Sequence, residues 1–397
     1  MDASKIVTLN GGSSSIKFAV FVPGEPLTQT LAGVVERIGL DAPSLNVTYA
    51  VDHDGEQSPI VTTNHEQAAE HLADWLQTQF RQNEVAAIGH RIVHGGPQLV
   101  EHQIVTEGLL AELRRAQQLD LAHLPHEIAL IEVFQRRYPD VPQVVCFDTA
   151  FCRELPRVAQ MLPIPRKFDR AGIRRLGFHG LSYAYLMSKL QSIAPQEARG
   201  RVILAHLGAG ASMTAMRDGR PIDTSMAFTP TAGLVMGTRP GDFDPGLLVY
   251  LMRAEGMSPE QMDEFINRSC GLLGVSETTY DMRDLIGRRE SDSRAAEAIA
   301  LFCYQAKKFV GAYAVALGGL DALVFAGGIG EHSVEVRAEI CEGLEFLGVR
   351  LDPHRNAESA AVISADGAPV TVRVISTNEE IVIANIVRRL VGNRTKH

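Results

Sequence analysis

Several short polar and glycine-rich motifs are the parts of this sequence with residue types suited to chemistry. The first is Asn10-Gly11-Gly12-Ser13-Ser14-Ser15-Ile16-Lys17, where amide, hydroxyl and ammonium groups surround one turn. Such a turn suits a phosphate group, because glycines let backbone N–H groups approach an anion closely. It is not a Walker loop, since Gly-x-x-x-x-Gly-Lys-Ser/Thr is absent and the next segment has the pattern of a strand. The alternative is a β-turn whose hydroxyls face water.

Three further motifs place cationic side chains next to glycines. Arg91 lies in Gly89-His90-Arg91-Ile92-Val93-His94-Gly95-Gly96, at the end of a predicted buried strand. Its planar guanidinium matches a carboxylate or phosphate, and the alternative is that it pairs with an interior Asp or Glu. His179 lies between glycines in Gly177-Phe178-His179-Gly180, and a lone histidine is more often structural. Arg239 belongs to Gly237-Thr238-Arg239-Pro240-Gly241-Asp242-Phe243-Asp244-Pro245, a composition typical of a rigid loop that aims side chains into a cleft.

Carboxylates follow two of the predicted strands. Asp148 ends the strand in Cys146-Phe147-Asp148-Thr149-Ala150, and strand ends are where α/β folds gather ligands. It could equally cap the next helix. Glu379 and Glu380 join the last strand to the last helix, where they could also act by stabilising the helix dipole.

The elements that must position these motifs repeat along the chain. A strand, Gly/Ser turn and second strand occur at Ile6 to Val20 and again at Val202 to Met216, about half the chain apart. This is the signature of a duplication. A third glycine turn, Gly327-Gly328-Ile329-Gly330-Glu331, follows an apolar strand and precedes a helical pattern from Val334. Its glycines and the helix start favour anion binding.

Hydrophobic periodicity predicts strands and helices in alternation, which favours an α/β layer fold. Helices are predicted at 66–80, 107–119, 127–138, 246–255, 259–268, 295–316 and 379–391, and strands at 85–93, 141–147, 202–206, 322–326 and 372–376. The chain of 397 residues is long enough for two domains. Since no low-complexity linker separates the halves, we expect a cleft between domains and not a flexible tether.

Composition excludes several classes of function. The net charge of −9 and the scattered basic residues argue against nucleic-acid binding. Five cysteines without a Cys-x-x-Cys pair indicate neither a disulfide framework nor a zinc site, and a reducing compartment fits best. No signal core or long apolar run is present, so we expect a cytoplasmic protein without membrane contact.

Taken together, these segments resemble the acetate kinase family nearly from end to end. Asp223-Thr224-Ser225-Met226 and Gly172-Ile173-Arg174-Arg175-Leu176-Gly177-Phe178-His179-Gly180 are the most specific of them. The resemblance implies a duplicated, actin-like (ribonuclease H-like) α/β fold of two domains with nucleotide in the cleft. The first domain would span 1–150 and be completed by the C-terminal helix 380–397. The second would span 151–379 and carry the nucleotide site, and the protein would form a homodimer.

The activity implied is reversible, in-line transfer of the γ-phosphoryl group of ATP to acetate, giving acetyl phosphate and ADP. A carboxylate nucleophile with a pKa of roughly 4 to 5 is already ionised and needs no general base. Negative charge on the transferred group calls for cationic and hydrogen-bonding groups around it. Mg²⁺ would accompany the nucleotide, with Mn²⁺ as an alternative.

The resemblance also assigns residues. The catalytic residues would be Arg91, His123, Asp148, His179 and Arg239, and those binding the substrate Arg91, Val93, Ala122, Phe178 and Pro230. The nucleotide would contact Asn10, Ser13, Ser15, Lys17, His206, Gly208, Gly210, Asp281, Arg283, Gly328, Ile329 and Gly330. Asn10 and Glu379 would hold the metal, with Asp148 helping to position its complex.

The sequence departs from the family pattern at several of these motifs. Ala209 and His332 stand where the family has asparagine, both on the nucleotide side, and Cys152 stands where histidine is usual. Ala122 replaces a leucine of the acyl pocket, which leaves room for another methylene, worth about 0.8 kcal/mol when buried.

Three alternatives therefore remain. The protein could be a propionate or butyrate kinase, a relative that uses pyrophosphate, or a nucleotide-binding module of the same fold without acyl transfer. The acyl-side residues Arg91, His179 and Arg239 disfavour the last, because a binding module has no need of them.

Overall fold

Two mixed sheets organise the computed structural model of this chain, which describes residues 5–12, 14–50, 55–119 and 123–392. The chain divides into one unit of residues 1–150 with 378–397 and a second unit of residues 151–377. The strands are β1 (Lys5–Gly11), β2 (Ser15–Val22), β3 (Thr28–Glu36), β4 (Ser44–Tyr49), β5 (Gly55–Pro59), β6 (Val85–Ile92), β7 (Gln103–Ile104), β8 (Gln143–Phe147), β9 (Arg201–Leu207), β10 (Ala211–Arg217), β11 (Arg220–Thr224), β12 (Ala322–Ala326) and β13 (Thr371–Val374).

Helices alternate with these strands. They are α1 (His65–Gln79), α2 (Glu107–Ala116), α3 (Leu124–Arg137), α4 (Arg157–Gln160), α5 (Arg166–Arg170), α6 (Gly180–Ile193), α7 (Pro195–Ala198), α8 (Pro245–Ala254), α9 (Pro259–Arg268), α10 (Gly271–Ser276), α11 (Met282–Arg288), α12 (Ser293–Leu317), α13 (Gly327–His332), α14 (Val334–Cys341), α15 (Pro353–Ala357) and α16 (Glu379–Gly392). Short 3-10 helices lie at Gln82–Glu84, Gln117–Leu119, Asp148–Glu154 and Glu345–Leu347. The α/β class predicted from the alternation is confirmed.

The two sheets have the same core topology. In the first unit the order β3-β2-β1-β6-β8 places an antiparallel meander beside two strands parallel to β1. In the second unit β11-β10-β9-β12-β13 repeats that order and those directions. The first sheet adds β4 and β5 at one edge and β7 at the other. The predicted duplication is thus a duplication of topology.

Packing explains where the chain places its apolar residues. Alternate residues of β2, such as Phe18 and Val20, face a core that α1 and α3 cover with Leu72, Leu76 and Phe134. The opposite face of the sheet receives α16. A Cβ atom at Gly89 would lie 2.4 Å from Ile383 and 2.6 Å from Val387, so glycine allows this close approach. The C-terminal helix thereby belongs to the first unit.

Three local expectations differ from the structure. The third glycine turn is itself helical, because α13 begins at Gly327 directly after β12, well before Val334. Helix α3 begins at Leu124, where Pro125 suits the first turn of a helix. Helix α2 ends at Ala116 and continues as a 3-10 turn. None of the helices in the described ranges has both the length and the apolar character that crossing a membrane requires.

Candidate active site

Arg91 and Asp148 form the centre of a polar cluster in the first unit. Arg91 is the penultimate residue of β6, and Asp148 follows the neighbouring parallel strand β8, so both side chains reach the same sheet edge. The guanidinium donates to Asp148 through Nη2 at 2.6 Å and through Nε at 3.1 and 3.2 Å. Nη1 donates to Oδ1 of Asn10 at 3.1 Å. Asn10 in turn donates to Glu379 at 3.3 Å, which links β1 to the first turn of α16.

The charges of this cluster shift two pKa values. Burial by itself lowers the pKa of Arg91, but the carboxylates of Asp148, Glu379 and Glu127 outweigh it, so the net shift is upward. Burial raises the pKa of Glu379, the nearby charge of Glu380 adds to that rise, and Arg91 opposes it. The rise at Arg91 therefore comes from the surrounding carboxylates, whereas the rise at Glu379 comes mainly from its burial.

The same excess of carboxylates suits a divalent cation. The donors are the carboxylate oxygens of Asp148 and Glu379 and the amide oxygen of Asn10, the oxygen ligands that Mg²⁺ prefers. Across 5–12, 14–50, 55–119 and 123–392 no three His, Cys, Asp or Glu side chains are grouped to hold a metal ion. Mg²⁺ bound with a nucleotide commonly takes only one or two protein carboxylates and completes its coordination with water and phosphate.

Glu127 is a buried carboxylate that the sequence did not single out. It is 1% exposed in the first turn of α3, and both of its oxygens accept from the backbone N–H of Val93 at 3.1 and 3.2 Å. This contact fixes the backbone that follows β6, and so also fixes Arg91 and Val93. The predicted residue His123 is the N-cap of the same helix, where its carbonyl accepts from the N–H of Glu127.

In the second unit, His179 and Arg239 converge on a glycine. A Cβ atom at Gly210 would lie 3.2 Å from Nε2 of His179 and 3.0 Å from Nη2 of Arg239. Arg239 is held there by the carbonyl of Pro230 at 2.7 Å. His179 caps α6 in the left-handed region, with φ 58° and ψ 26°. A non-glycine residue in that region is costly and is typical of functional positions.

His206 stacks on His179, with the ring centroids 4.3 Å apart. Each ring meets a buried serine at Nδ1, His179 with Ser212 and His206 with Ser182, both at 2.8 Å. Ser182 continues to the hydroxyl of Thr377 at 2.9 Å. These serines hold both rings with Nε2 toward the turn at 208–210.

A cavity of about 650 Å³ adjoins this turn within the second unit. Several predicted nucleotide residues line it together. These are Gly208, Asp281, Arg283, Gly328 and Ile329, which share the wall with Ala209, Tyr280, Met282, Ile286, His332, Ser333 and Glu335. Asp281 caps α11 and accepts from the guanidinium of Arg283 at 2.6 and 3.0 Å. Its hydrogen bonds to Arg283 lower the pKa of Asp281 to about 2.

The third glycine turn is anchored by two side chains. Glu331 accepts from the N–H groups of Gly327 at 2.9 Å and Thr377 at 3.2 Å. Arg337 is fully buried and donates to the carbonyls of Gly330 and Glu331 at the end of α13. Its other donors go to Asn356 and Ser359, so a buried cation fixes this turn without a carboxylate partner in those contacts.

Other predicted residues lie elsewhere or beyond the described ranges. Ser15 and Lys17 line a separate cavity of about 660 Å³ on the meander of the first unit. Phe178 is buried directly before His179. Ser13, Ala122 and residues 393–397 of the predicted C-terminal helix lie outside the described residues.

The two carboxylates of the 237–245 loop bond to nearby backbone. Asp242 accepts from the N–H of Gly233 at 2.8 Å, and Asp244 caps α8. Both carboxylates therefore hold the loop, and Arg239 alone is presented beside Gly210. Tyr183, Ser212, Ser182 and Arg337 were missed altogether. Tyr183 could have been found, because it lies one helical turn after His179.

The chain is similar in sequence to known proteins over almost its whole length. A sequence model described as the Acetokinase family matches residues 5–385. An acetate kinase from Rhodopseudomonas palustris is 43% identical, covering 97% of this chain and 98% of the relative. A propionate kinase from Citrobacter rodentium is 41% identical, covering 97% and 96%.

Solved structures give the same result. The crystal structure of Porphyromonas gingivalis acetate kinase has a TM-score of 0.86 at 34% identity, covering 98% of this chain and 100% of that one. The crystal structure of a propionate kinase from Francisella tularensis has a TM-score of 0.91 at 34% identity, with the same coverage.

Proposed function

The chain belongs to the acetokinase family, and we propose that it catalyses reversible transfer of the γ-phosphoryl group of ATP to acetate. The observation that carries this function is the match to curated acetate kinases over nearly the whole length of both chains. In the reaction an acetate oxygen bonds to the γ-phosphorus while the bond from that phosphorus to the β,γ-bridging oxygen breaks. The products are acetyl phosphate and ADP.

The first unit supplies a fixed cation and a set of carboxylates to this reaction. Asp148 and Asn10 hold the Arg91 guanidinium at three of its nitrogens, so little side-chain entropy remains to be lost when it binds an anion. Asn10, Asp148 and Glu379 would hold Mg²⁺, which neutralises charge on the phosphate oxygens when it is bound. Val93, whose backbone Glu127 fixes, would contact the methyl group of acetate.

The second unit supplies positive charge beside a backbone without side chains. Arg239 and His179 would meet the transferred phosphoryl group, where donors placed in advance stabilise developing negative charge. Gly210 leaves room for that group, since any Cβ atom would contact both side chains. The cavity lined by Gly208, Asp281, Arg283 and Gly328 would take the nucleoside.

A direct assay tests this function. Acyl phosphate formed from acetate, propionate or butyrate is trapped as its hydroxamate, with either ATP or pyrophosphate as donor and Mg²⁺ present. We expect product with acetate and ATP, and loss of product with Arg91→Ala and Arg239→Ala. The absence of product from every pair would contradict acyl transfer and leave the nucleotide-binding module as the function.

Propionate is a second candidate acceptor. Propionate kinases are among the relatives at 41% and 39% identity, and Ala122 replaces the larger side chain that the family pattern has in the acyl pocket. We expect kcat/KM for propionate to be within about tenfold of that for acetate, because burying one more methylene is worth about 0.8 kcal/mol, or about fourfold. A large preference for acetate would contradict this.

A homodimer is part of the proposal, with α8 as its contact surface. This helix has the sequence Pro-Gly-Leu-Leu-Val-Tyr-Leu-Met-Arg-Ala, yet not one of its residues is buried. Tyr250 is 65% exposed, Val249 48% and Leu247 42%. An apolar helix this open is typical of a subunit interface. Sedimentation velocity should give a dimer for the native chain and a monomer for the double variant Val249→Asp/Tyr250→Asp, and an unchanged dimer would exclude α8.

A reducing, cytoplasmic location completes the proposal. All five cysteines are free thiols, and Cys146, Cys152, Cys303 and Cys341 are buried. Thiol titration of freshly purified protein under denaturing conditions should recover five thiols. A lower number would point to an oxidised form.

A further inference from the structure

The first residue of α1 holds the backbone just beyond the end of β1. Nε2 of His65 lies 2.9 Å from the carbonyl oxygen of Gly12. The N–H of the same glycine donates to the carbonyl of Ser15 at 2.7 Å. Gly12 is therefore bonded at both of its backbone polar groups, two residues after Asn10. These bonds fix the end of the strand that carries Asn10.

A second histidine holds the ring of His65 in place. His65 is 9% exposed and stacks on His126 of α3, with the ring centroids 4.0 Å apart and the planes inclined by 20°. His126 is followed by Glu127, whose carboxylate accepts from the N–H of Val93, two residues after Arg91. The stacked rings therefore join the contact that holds the end of β1 to the contact that holds the end of β6.

These two contacts act on side chains that bond to each other. Strands β1 and β6 are adjacent and parallel, with Leu9 opposite His90, so Asn10 and Arg91 are the next residues on the two strands. Nη1 of Arg91 donates to Oδ1 of Asn10 at 3.1 Å. A shift of about 0.5 Å in either backbone would take this contact beyond hydrogen-bond range. The contact therefore depends on how firmly both strand ends are held.

The partner of His65 fixes where its proton lies. A carbonyl oxygen can only accept a hydrogen bond, so Nε2 of His65 carries a hydrogen and donates it to Gly12. Burial lowers the pKa of His65, and the bond to Gly12 opposes that fall without cancelling it. The ring is therefore neutral at physiological pH, with its proton on Nε2 and its lone pair on Nδ1.

We propose that His65 is a positioning residue that keeps Asn10 in register with Arg91. The stack on His126 holds the imidazole in the plane from which it reaches Gly12. His65 acts on the reaction through the backbone of Gly12 and the amide of Asn10, which would reach Mg²⁺ and the phosphates. The inference rests on the proposed function for its effect on turnover, but not for the hydrogen bond.

Two substitutions separate the hydrogen bond from the ring. His65→Gln places an amide N–H close to the position of Nε2, whereas His65→Phe keeps a ring against His126 and loses the donor. We expect His65→Phe to lower kcat for acetyl phosphate formation about 3- to 10-fold, the value of one hydrogen bond. His65→Gln should keep kcat within about twofold of the native value. Equal kcat values in the two variants would overturn the proposal.

A matched control disturbs the same pair of helices away from the strand ends. Arg136 of α3 forms exposed ion pairs with Glu66 and Glu70 of α1. Arg136→Ala removes these pairs and should leave kcat unchanged, since exposed pairs contribute little. A loss of kcat as large as that of His65→Phe would show that any loosening of α1 from α3 has this effect, and would contradict a specific role for His65.

A double variant shows whether His65 acts through Asn10. In the Asn10→Ala background, His65→Phe should lower kcat by less than about twofold, because the contact that it maintains is already lost. A full 3- to 10-fold decrease in that background would overturn the proposal. If His65→Phe does not fold, as judged by circular dichroism, His65→Asn takes its place, because its amide is one methylene shorter than that of glutamine.

Nitrogen NMR tests the hydrogen bond without any turnover. The full-length protein is labelled with ¹⁵N-histidine, and the signals lost in His65→Gln belong to His65. At neutral pH its Nε2 should give the signal of a protonated nitrogen and its Nδ1 that of an unprotonated one. The opposite tautomer would overturn the proposal.

Nucleotide binding separates this inference from the proposed function. If the native protein forms no acyl phosphate, the proposed function fails, and the affinity for ATP with Mg²⁺, measured by calorimetry, then decides the positioning role. Weaker binding by His65→Phe than by His65→Gln would support it. Equal affinities in the two variants would overturn it.

Discussion

Replacing Arg91 by alanine should cost both stability and turnover, and the structure separates the two losses. Asp148 is 1% exposed and receives three hydrogen bonds of 2.6 to 3.2 Å from the Arg91 guanidinium. Removing the cation leaves this carboxylate buried, while Glu379 and Glu127 add further negative charge. Loss of one partner from a buried pair costs about 3–5 kcal/mol. We expect that decrease in the free energy of unfolding of Arg91→Ala, measured with urea.

Turnover should fall by more than the loss of folded protein explains. We expect kcat for acetyl phosphate formation to drop about 100-fold or more, because the phosphoryl group loses a fixed donor. The hydroxamate assay is run at a temperature where circular dichroism shows the variant to be folded. Arg91→Lys keeps the charge but not the planar fork. It should recover most of the stability and little of the turnover.

A matched control comes from a pair outside the site. Arg201 and Asp321 also form a two-pronged ion pair, but each side chain is 38% exposed. Arg201→Ala should cost less than about 1 kcal/mol and leave kcat unchanged. Near-normal turnover in folded Arg91→Ala would remove Arg91 from the mechanism. A stability loss no greater than that of Arg201→Ala would refute the argument from the buried pair.

Three further predictions follow from single contacts. Gly328→Ala should raise KM for ATP without changing the urea midpoint, because nothing lies within 4 Å of its Cβ position. Gly327→Ala should destabilise the protein, since its φ is +75° and the backbone of Leu207 lies 2.7 Å from its Cβ position. Equal urea midpoints for the two variants would contradict this. His90 is buried, and its pKa is lowered to about 4, mainly by that burial. Its contribution of about 3 kcal/mol is present above pH 6.5 and is lost as the pH falls toward 4, so urea unfolding of His90→Gln should lose less stability over that range than the native protein. Lysine at position 337 cannot make the five hydrogen bonds of the fully buried Arg337 guanidinium. Arg337→Lys should therefore lower the free energy of unfolding by about 2–3 kcal/mol and raise KM for ATP. A native free energy of unfolding together with a native KM would show that Arg337 does not hold the third glycine turn.

The parts of the fold that periodicity controls could be predicted from the sequence. Helix α1, strand β6 and helix α9 match their predicted ranges to within a residue or two, because each has a clear apolar stripe or a buried run. The repeated Gly/Ser hairpin predicted the duplication, which the two sheets share. The start of α13 at Gly327 could not be predicted from the sequence, because its glycines have a low helix propensity and form no apolar pattern.

The site could be predicted only in part. The motifs predicted which residues carry charge, and the structure groups Asn10, Arg91, Asp148 and Glu379 in one cluster. No local pattern indicates a partner 57 residues away, so the choice between Arg91 as an anion site and Arg91 in an interior pair could not be made. The structure gives the pair with Asp148, and that pair is what orients the guanidinium. Ser212 could not be predicted for the same reason, since its contact with His179 joins β10 to the start of α6.

The two units show how one topology supports two kinds of chemistry. In the first sheet Leu9 lies opposite His90, and in the second His206 lies opposite Ala326. Arg91 follows His90 and Gly327 follows Ala326, so these two residues occupy equivalent positions in the two units. The first unit places charged side chains at the end of its parallel strands, whereas in the second α13 begins there and the buried N–H of Gly327 donates to Glu331. Duplication explains the shared order of strands, and divergence at this one position explains why Arg91 has no counterpart in the second unit.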